Sequence, residues 1–218
     1  MTNAFYVALT FKLRTLGSAE RAAATKADED SPWEHLGVER EDLDKAVGQV
    51  AGSADVEMLL PFAQRLWNEP VWEFKVAALK TLALDHVSTT PELWKFVLSA
   101  ARQVDGPRLA YNLALVAQKS LLDFPSRLAD VAGWVESRNK WMRCLAVLSV
   151  MRWAEEGHDV AEILPWMAAL ATDPEDCIQD ALGHWLRAYG AHEPTGRNAF
   201  LAEHGEKMSS AARAEAGR

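Results

Sequence analysis

The 218-residue chain lacks the short motifs by which most enzyme classes are recognised. It contains no HExxH pair, no glycine-rich phosphate loop, no GxSxG elbow and no Cys/His spacing suited to a metal. Nothing in the sequence therefore calls for a catalytic motif, a metal or a cofactor. Cysteine is scarce: Cys144 and Cys177 stand alone, without a CxxC spacing. That pattern excludes a disulfide framework and reads as reduced thiols at small buried positions of a cytoplasmic protein. No apolar run approaches the length needed to span a bilayer, and residues 1–20 lack the basic start, apolar centre and cleavage site of a signal peptide. Strand signals are missing too, with no alternating β-branched run and no Asn-Gly or Asp-Gly turn between apolar segments.

What is present is a repeat. Trp72, Ala77 and Leu79, then Trp141, Ala146 and Leu148, then Ile178, Gly183 and Trp185, each place a large apolar residue first, a small one at +5 and a large one at +7. A looser copy begins at Arg108, so the steps are 36, 33 and 37 residues. That is the period of stacked helix pairs, and the small residue at +5 lets a neighbouring helix come close. Thr90-Pro91-Glu92 and Asp173-Pro174-Glu175 supply an N-cap, a proline and an acidic first turn, while Asn68-Glu69-Pro70 and Asp105-Gly106-Pro107 are looser versions. These signals predict an all-α, HEAT-like solenoid of about six helix pairs. It forms one domain over 1–208, with a frayed tail over 209–218. Helices are expected near 2–16, 18–26, 39–50, 54–67, 70–86, 90–102, 107–122, 125–135, 139–154, 158–171, 174–190 and 194–204.

The net charge of −8 is unevenly placed. Residues 20–57 hold eleven acids against four bases, whereas 101–152 hold eight bases against four acids. The centre is thus the part suited to face phosphate. Nine tryptophans are many for this length. Trp67, Trp134 and Trp141 are expected between repeats, and Trp72 and Trp185 are the candidates for a groove surface.

In the second half the residues become specific. The run from Trp134 through Ser137, Asn139, Trp141 and Arg143, followed by Ile178, Gln179, Gly183, Leu186, Arg187 and Tyr189, closely resembles the DNA alkylation repair proteins of the AlkD type. Leu66-Trp67, Pro70, Glu73-Phe74 and Ala77-Ala78-Leu79 are similar to that family's early repeat, and Leu36-Gly37-Val38 to the turn before its third helix. The resemblance covers about residues 5–205. It implies six helix pairs curved around a groove for duplex DNA, with release of N3- and N7-alkylated purines by active members. Those members use two tryptophans, an aspartate and an arginine. Here the first tryptophan and the aspartate are missing from 105–112, the aspartate position falling on Leu109 or Ala110. The arginine position is Cys144, beside Arg143, and the second tryptophan position is His184, beside Trp185.

The expectation is therefore a monomeric DNA-binding member with weak, altered or no N-glycosylase activity. Lys75, Arg108, Arg138, Lys140, Arg143, His184, Trp185 and Arg187 would contact duplex or structured DNA. The alternative, a HEAT-like scaffold for a protein partner, draws on the acidic N-terminal third, and the third reading is an active glycosylase releasing N3- and N7-alkylated purines.

Overall fold

The computed structural model describes residues 2–29, 31–52, 54 and 56–218; Asp30 and Asp55 of the acidic segment, the latter within the helix expected over 54–67, lie outside them. Helices account for the regular structure: α1 (Thr2–Leu16), α2 (Ala19–Glu29), α3 (Arg40–Ala51), α4 (Val56–Trp67), α5 (Trp72–Leu82), α6 (Pro91–Ala101), α7 (Pro107–Asp123), α8 (Leu128–Ala132), α9 (Lys140–Ser149), α10 (Met151–Glu155), α11 (Leu164–Leu170), α12 (Asp176–His192), α13 (Pro194–His204) and α14 (Ser210–Ala216). Among the described residues the sole β-type pairing is an isolated bridge between Glu34 and Val71. The chain folds as two compact units, 1–116 and 117–218, with the division falling inside α7.

In the first unit α5 is the central helix. Every residue from Trp72 to Leu82 except Lys80 is buried, so Lys80 is the one residue of this helix turned toward solvent, and Glu73 and Lys75 must find partners inside. Glu73 does so fully. Its carboxylate accepts from the backbone N–H groups of Leu36 (2.9 Å), Gly37 (2.7 Å) and Val38 (3.4 Å). Gly37 sits at φ +72, and a Cβ there would fall 2.2 Å from the Ser18 carbonyl oxygen. The Leu36-Gly37-Val38 turn is therefore fixed from both sides, and it delivers the chain into α3.

In the second unit α12 has the corresponding place. Ile178, Leu182, Trp185 and Leu186 are fully buried, and the Trp185 indole N–H donates to the Val150 carbonyl at 3.2 Å. The expected start of α12 at Asp173-Pro174 is displaced: the helix begins at Asp176, and Asp173 instead accepts from the Glu175 N–H at 3.1 Å. Thr90, by contrast, caps α6 as anticipated, accepting from the Leu93 N–H at 3.1 Å. The single helix expected over 139–154 breaks at Val150 into α9 and α10.

The segment expected to fray is a helix. Ser209 caps α14 by accepting from the Ala212 N–H at 3.1 Å, and its own N–H donates to Gln179 Oε1 at 2.8 Å. A Cβ on Gly183 would lie 2.8 Å from the Ala212 carbonyl oxygen and 3.0 Å from its Cα. This is the close approach that the small residue at +5 permits. Gly183→Ala would gain about 1 kcal/mol of helix propensity but forces two backbones apart, at a cost of about 1–3 kcal/mol. Overpacking wins because neither backbone atom can swing away. The expected result is a net loss of stability and a lower thermal midpoint; a raised midpoint would show that α14 yields freely.

Candidate nucleic-acid interface

On the first unit, residues of α3, α5 and α7 meet around a pocket of about 90 Å³. This is room for a few waters or a phosphate group. Trp72, Arg40, Lys80, Arg108, Tyr111 and Asn112 line it; Trp72 is 2% exposed, so the groove-surface role expected of it is corrected to that of a packed wall residue. The proline at the start of α7 sets Arg108 in its first turn, and Asn112 one turn later donates to the Arg108 carbonyl at 2.7 Å. The Arg108 guanidinium lies 5.2 Å from the Trp72 ring centroid. Tyr111 is 50% exposed, unusual for a large side chain in this protein. Two of the cations have acidic neighbours: Lys80 meets Asp44 at 2.5 Å and Arg108 meets Glu29 at 3.5 Å. Glu29 is itself buried, which pushes its carboxyl up, with Arg108 pulling it back.

A second group of charges lies deeper in the same unit. Lys75, expected to contact phosphate, is buried, and its amine donates to the Trp67 carbonyl at 2.6 Å. The ammonium also sits 4.0 Å from the Trp33 ring centroid and 4.9 Å from that of Trp67. Burial pushes the amine down and Asp105 opposes the shift. The phosphate role assigned to Lys75 is thus corrected, because its amine is buried and committed to the Trp67 carbonyl. Asp105 is turned inward rather than left in an open turn. Burial pushes its carboxyl up, against Trp33, Lys75 and His35. His35 stacks on Trp72 with centroids 5.0 Å apart, and burial pushes its imidazole down.

In the second unit the expected contacts are mostly committed elsewhere. Arg143 grips Asp173 with two nitrogens, Nε to Oδ2 at 2.6 Å and Nη2 to Oδ1 at 3.2 Å, and donates through Nη1 to the Ser137 carbonyl at 2.8 Å. The bond to Asp173 holds the guanidinium above its ordinary range. Lys140 meets Glu175 at 3.1 Å. Arg187 and His184 both meet Glu215 Oε1, at 2.7 and 3.0 Å. Arg138 is exposed. Trp185 is fully buried, so the groove-surface role expected of it is corrected: its ring belongs to the core and stacks on Tyr189 at 5.4 Å. Trp67 and Trp134 are buried as expected, and Trp141 is half-buried.

The sequence model of a family described as DNA alkylation repair enzyme matches residues 9–218. The chain belongs to this family. Solved structures share its fold. A predicted DNA alkylation repair enzyme from Enterococcus faecalis superposes with a TM-score of 0.73 at 14% identity, covering 93% of this chain and 95% of that one. AlkD2 from Streptococcus mutans gives 0.61 at 17% identity, over 92% and 98%. The smu.31 protein from Streptococcus mutans UA159 gives 0.62 at 16%, over 82% and 91%. No protein of curated function matches in sequence.

For a DNA alkylation repair family member, the residues missed by sequence reasoning are informative. Arg40, Lys80 and Tyr111 stand around the pocket with Arg108. Their signal was the spacing of α3, α5 and α7 by one repeat, which puts equivalent turns side by side. Leu109 and Ala110, at the position where the family resemblance implies an aspartate, are both fully buried. Cys144, at the implied arginine position, is buried as well.

Proposed function

We propose that this DNA alkylation repair family member binds duplex or structured DNA through the α3, α5 and α7 face of its first unit, and leaves alkylated purines in place. The observation that carries the reading is the pocket lined by Arg40, Lys80 and Arg108 beside exposed Tyr111. Three cations line the pocket in a protein of net charge −8, two of them paired with Asp44 and Glu29, which leaves Arg40 to meet a phosphate. Exposed cations beside an aromatic side chain suit a phosphodiester and its sugar better than an acidic peptide alone. The residues lining the pocket include no carboxylate that could stabilise a cationic leaving base.

The test is a fluorescence anisotropy titration of the full chain against duplex, nicked and branched DNA over a range of salt. Arg40→Glu with Arg108→Glu is expected to weaken binding and reduce the logarithmic salt slope by about 1, the share of Arg40, because Arg108 is already paired with Glu29 and releases few mobile ions. Reversal of Arg138, Lys140 and Arg143 is the comparison. If that triple change abolishes binding and the first-unit pair does not, the interface belongs to the second unit. If the unaltered chain binds none of the three DNAs, the reading gives way to a HEAT-like scaffold for a protein partner.

A further inference from the structure

Outside the interface, the two cysteines form a cluster of their own in the second unit. Cys144, in the second turn of α9, is 4% exposed, and its thiol donates to the Cys177 carbonyl at 3.3 Å. Cys177 is the second residue of α12 and is half-buried. We propose that Cys177 and Cys144 form a dithiol site that reduces hydroperoxides, with Cys177 as the attacking thiolate and Cys144 as the resolving thiol.

The geometry divides the labour. Cys177 is the sulfur that a small oxidant can reach, and it lies in the first turn of a 17-residue helix, where unpaired backbone N–H groups favour an anion. Cys144 is withheld from solvent, and its sulfur lies 3.3 Å from the backbone carbonyl oxygen of Cys177. Interaction between the two thiols holds Cys177 below the ordinary range and Cys144 above it, and burial raises Cys144 further. The Lys140 ammonium lowers Cys177 further, while Glu175 and Asp173 work against it. Both of those carboxylates are engaged, with Lys140 and Arg143.

The step balances without another reactant. The Cys177 thiolate attacks the terminal oxygen of a hydroperoxide and breaks the O–O bond. The alkoxide leaves as an alcohol after taking a proton, and Cys177 becomes a sulfenic acid. Cys144 then gives up its proton and attacks the Cys177 sulfur, the sulfenic oxygen departs as water, and a disulfide forms. Two thiols are oxidised and one peroxide is reduced.

The experiment uses the full chain with hydrogen peroxide as the probe, read by intact mass and thiol titration. The unaltered protein is expected to lose both thiols together, with a mass decrease of about 2 Da and no dimer. Cys144→Ser should instead stop at a Cys177 sulfenic acid that dimedone traps. Cys177→Ser should slow oxidation of the remaining thiol by about tenfold or more. Circular dichroism on both variants separates a folding defect from a chemical one. Oxidation of Cys144 ahead of Cys177 would overturn the proposal, as would a disulfide between two chains, or a folded protein that keeps both thiols in excess peroxide.

Discussion

Glu73→Ala is expected to cost the first unit about 3–5 kcal/mol, read as a lowered urea midpoint with the slope unchanged. The carboxylate is fully buried and accepts from three consecutive backbone N–H groups. Each buried donor left without a partner costs about 1–3 kcal/mol, and the two short bonds dominate here. Glu73→Gln keeps one acceptor oxygen and should recover part of the loss. The damage would spread to function, because the Leu36-Gly37-Val38 turn sets Val38 and Arg40 against the pocket. A Glu73→Ala protein that matched the parent in both stability and DNA affinity would show that the turn holds itself.

Release of 3-methyladenine or 7-methylguanine from alkylated duplex DNA is expected to fall about 10²–10³-fold or more below that of a family member carrying the aspartate. Cleavage through a cationic transition state needs a preorganised opposite charge, and loss of one such group costs that much. Leu109 and Ala110 lie wholly within the core, so neither position faces a nucleic acid at all. A single-turnover assay decides the matter. Robust enzyme-dependent release would point to Asp105, whose carboxylate is turned inward beside Lys75 and His35, and Asp105→Asn would then abolish it.

The helical repeat is legible in the sequence because burial imposes it: a large residue, a small one and a large one recur wherever a helix is packed on several sides. The close approach allowed by Gly183 and the Thr90 cap follow from such local rules, whereas the Ala212 backbone that fills the space at Gly183 belongs to a segment expected to fray. What resists reading is the facing of side chains and the pairing of charges. Trp185 and His184 are neighbours, yet one residue turns a helix by about 100°, and that rotation separates a core ring from an exposed imidazole. Lys75 looks like a surface cation until its amine is seen to be buried against the Trp67 carbonyl. Arg143 with Asp173 and Arg187 with Glu215 join residues about one repeat apart, a separation that no local pattern reports. The last helix had a signal that went unused, a serine cap ahead of an alanine-rich run.

That last helix carries a further implication. Glu215 is only 13% exposed at its side chain and holds Arg187, His184 and Arg218 at once. A phosphate arriving at Arg187 would displace a tethered carboxylate, present at high effective concentration, and not a mobile sodium or potassium ion. Exchanging one fixed anion for another releases no ions to bulk solvent, so a contact made there leaves almost no trace in the dependence of affinity on salt. The salt slope of this protein will therefore count only those cations that its own chain has not already claimed.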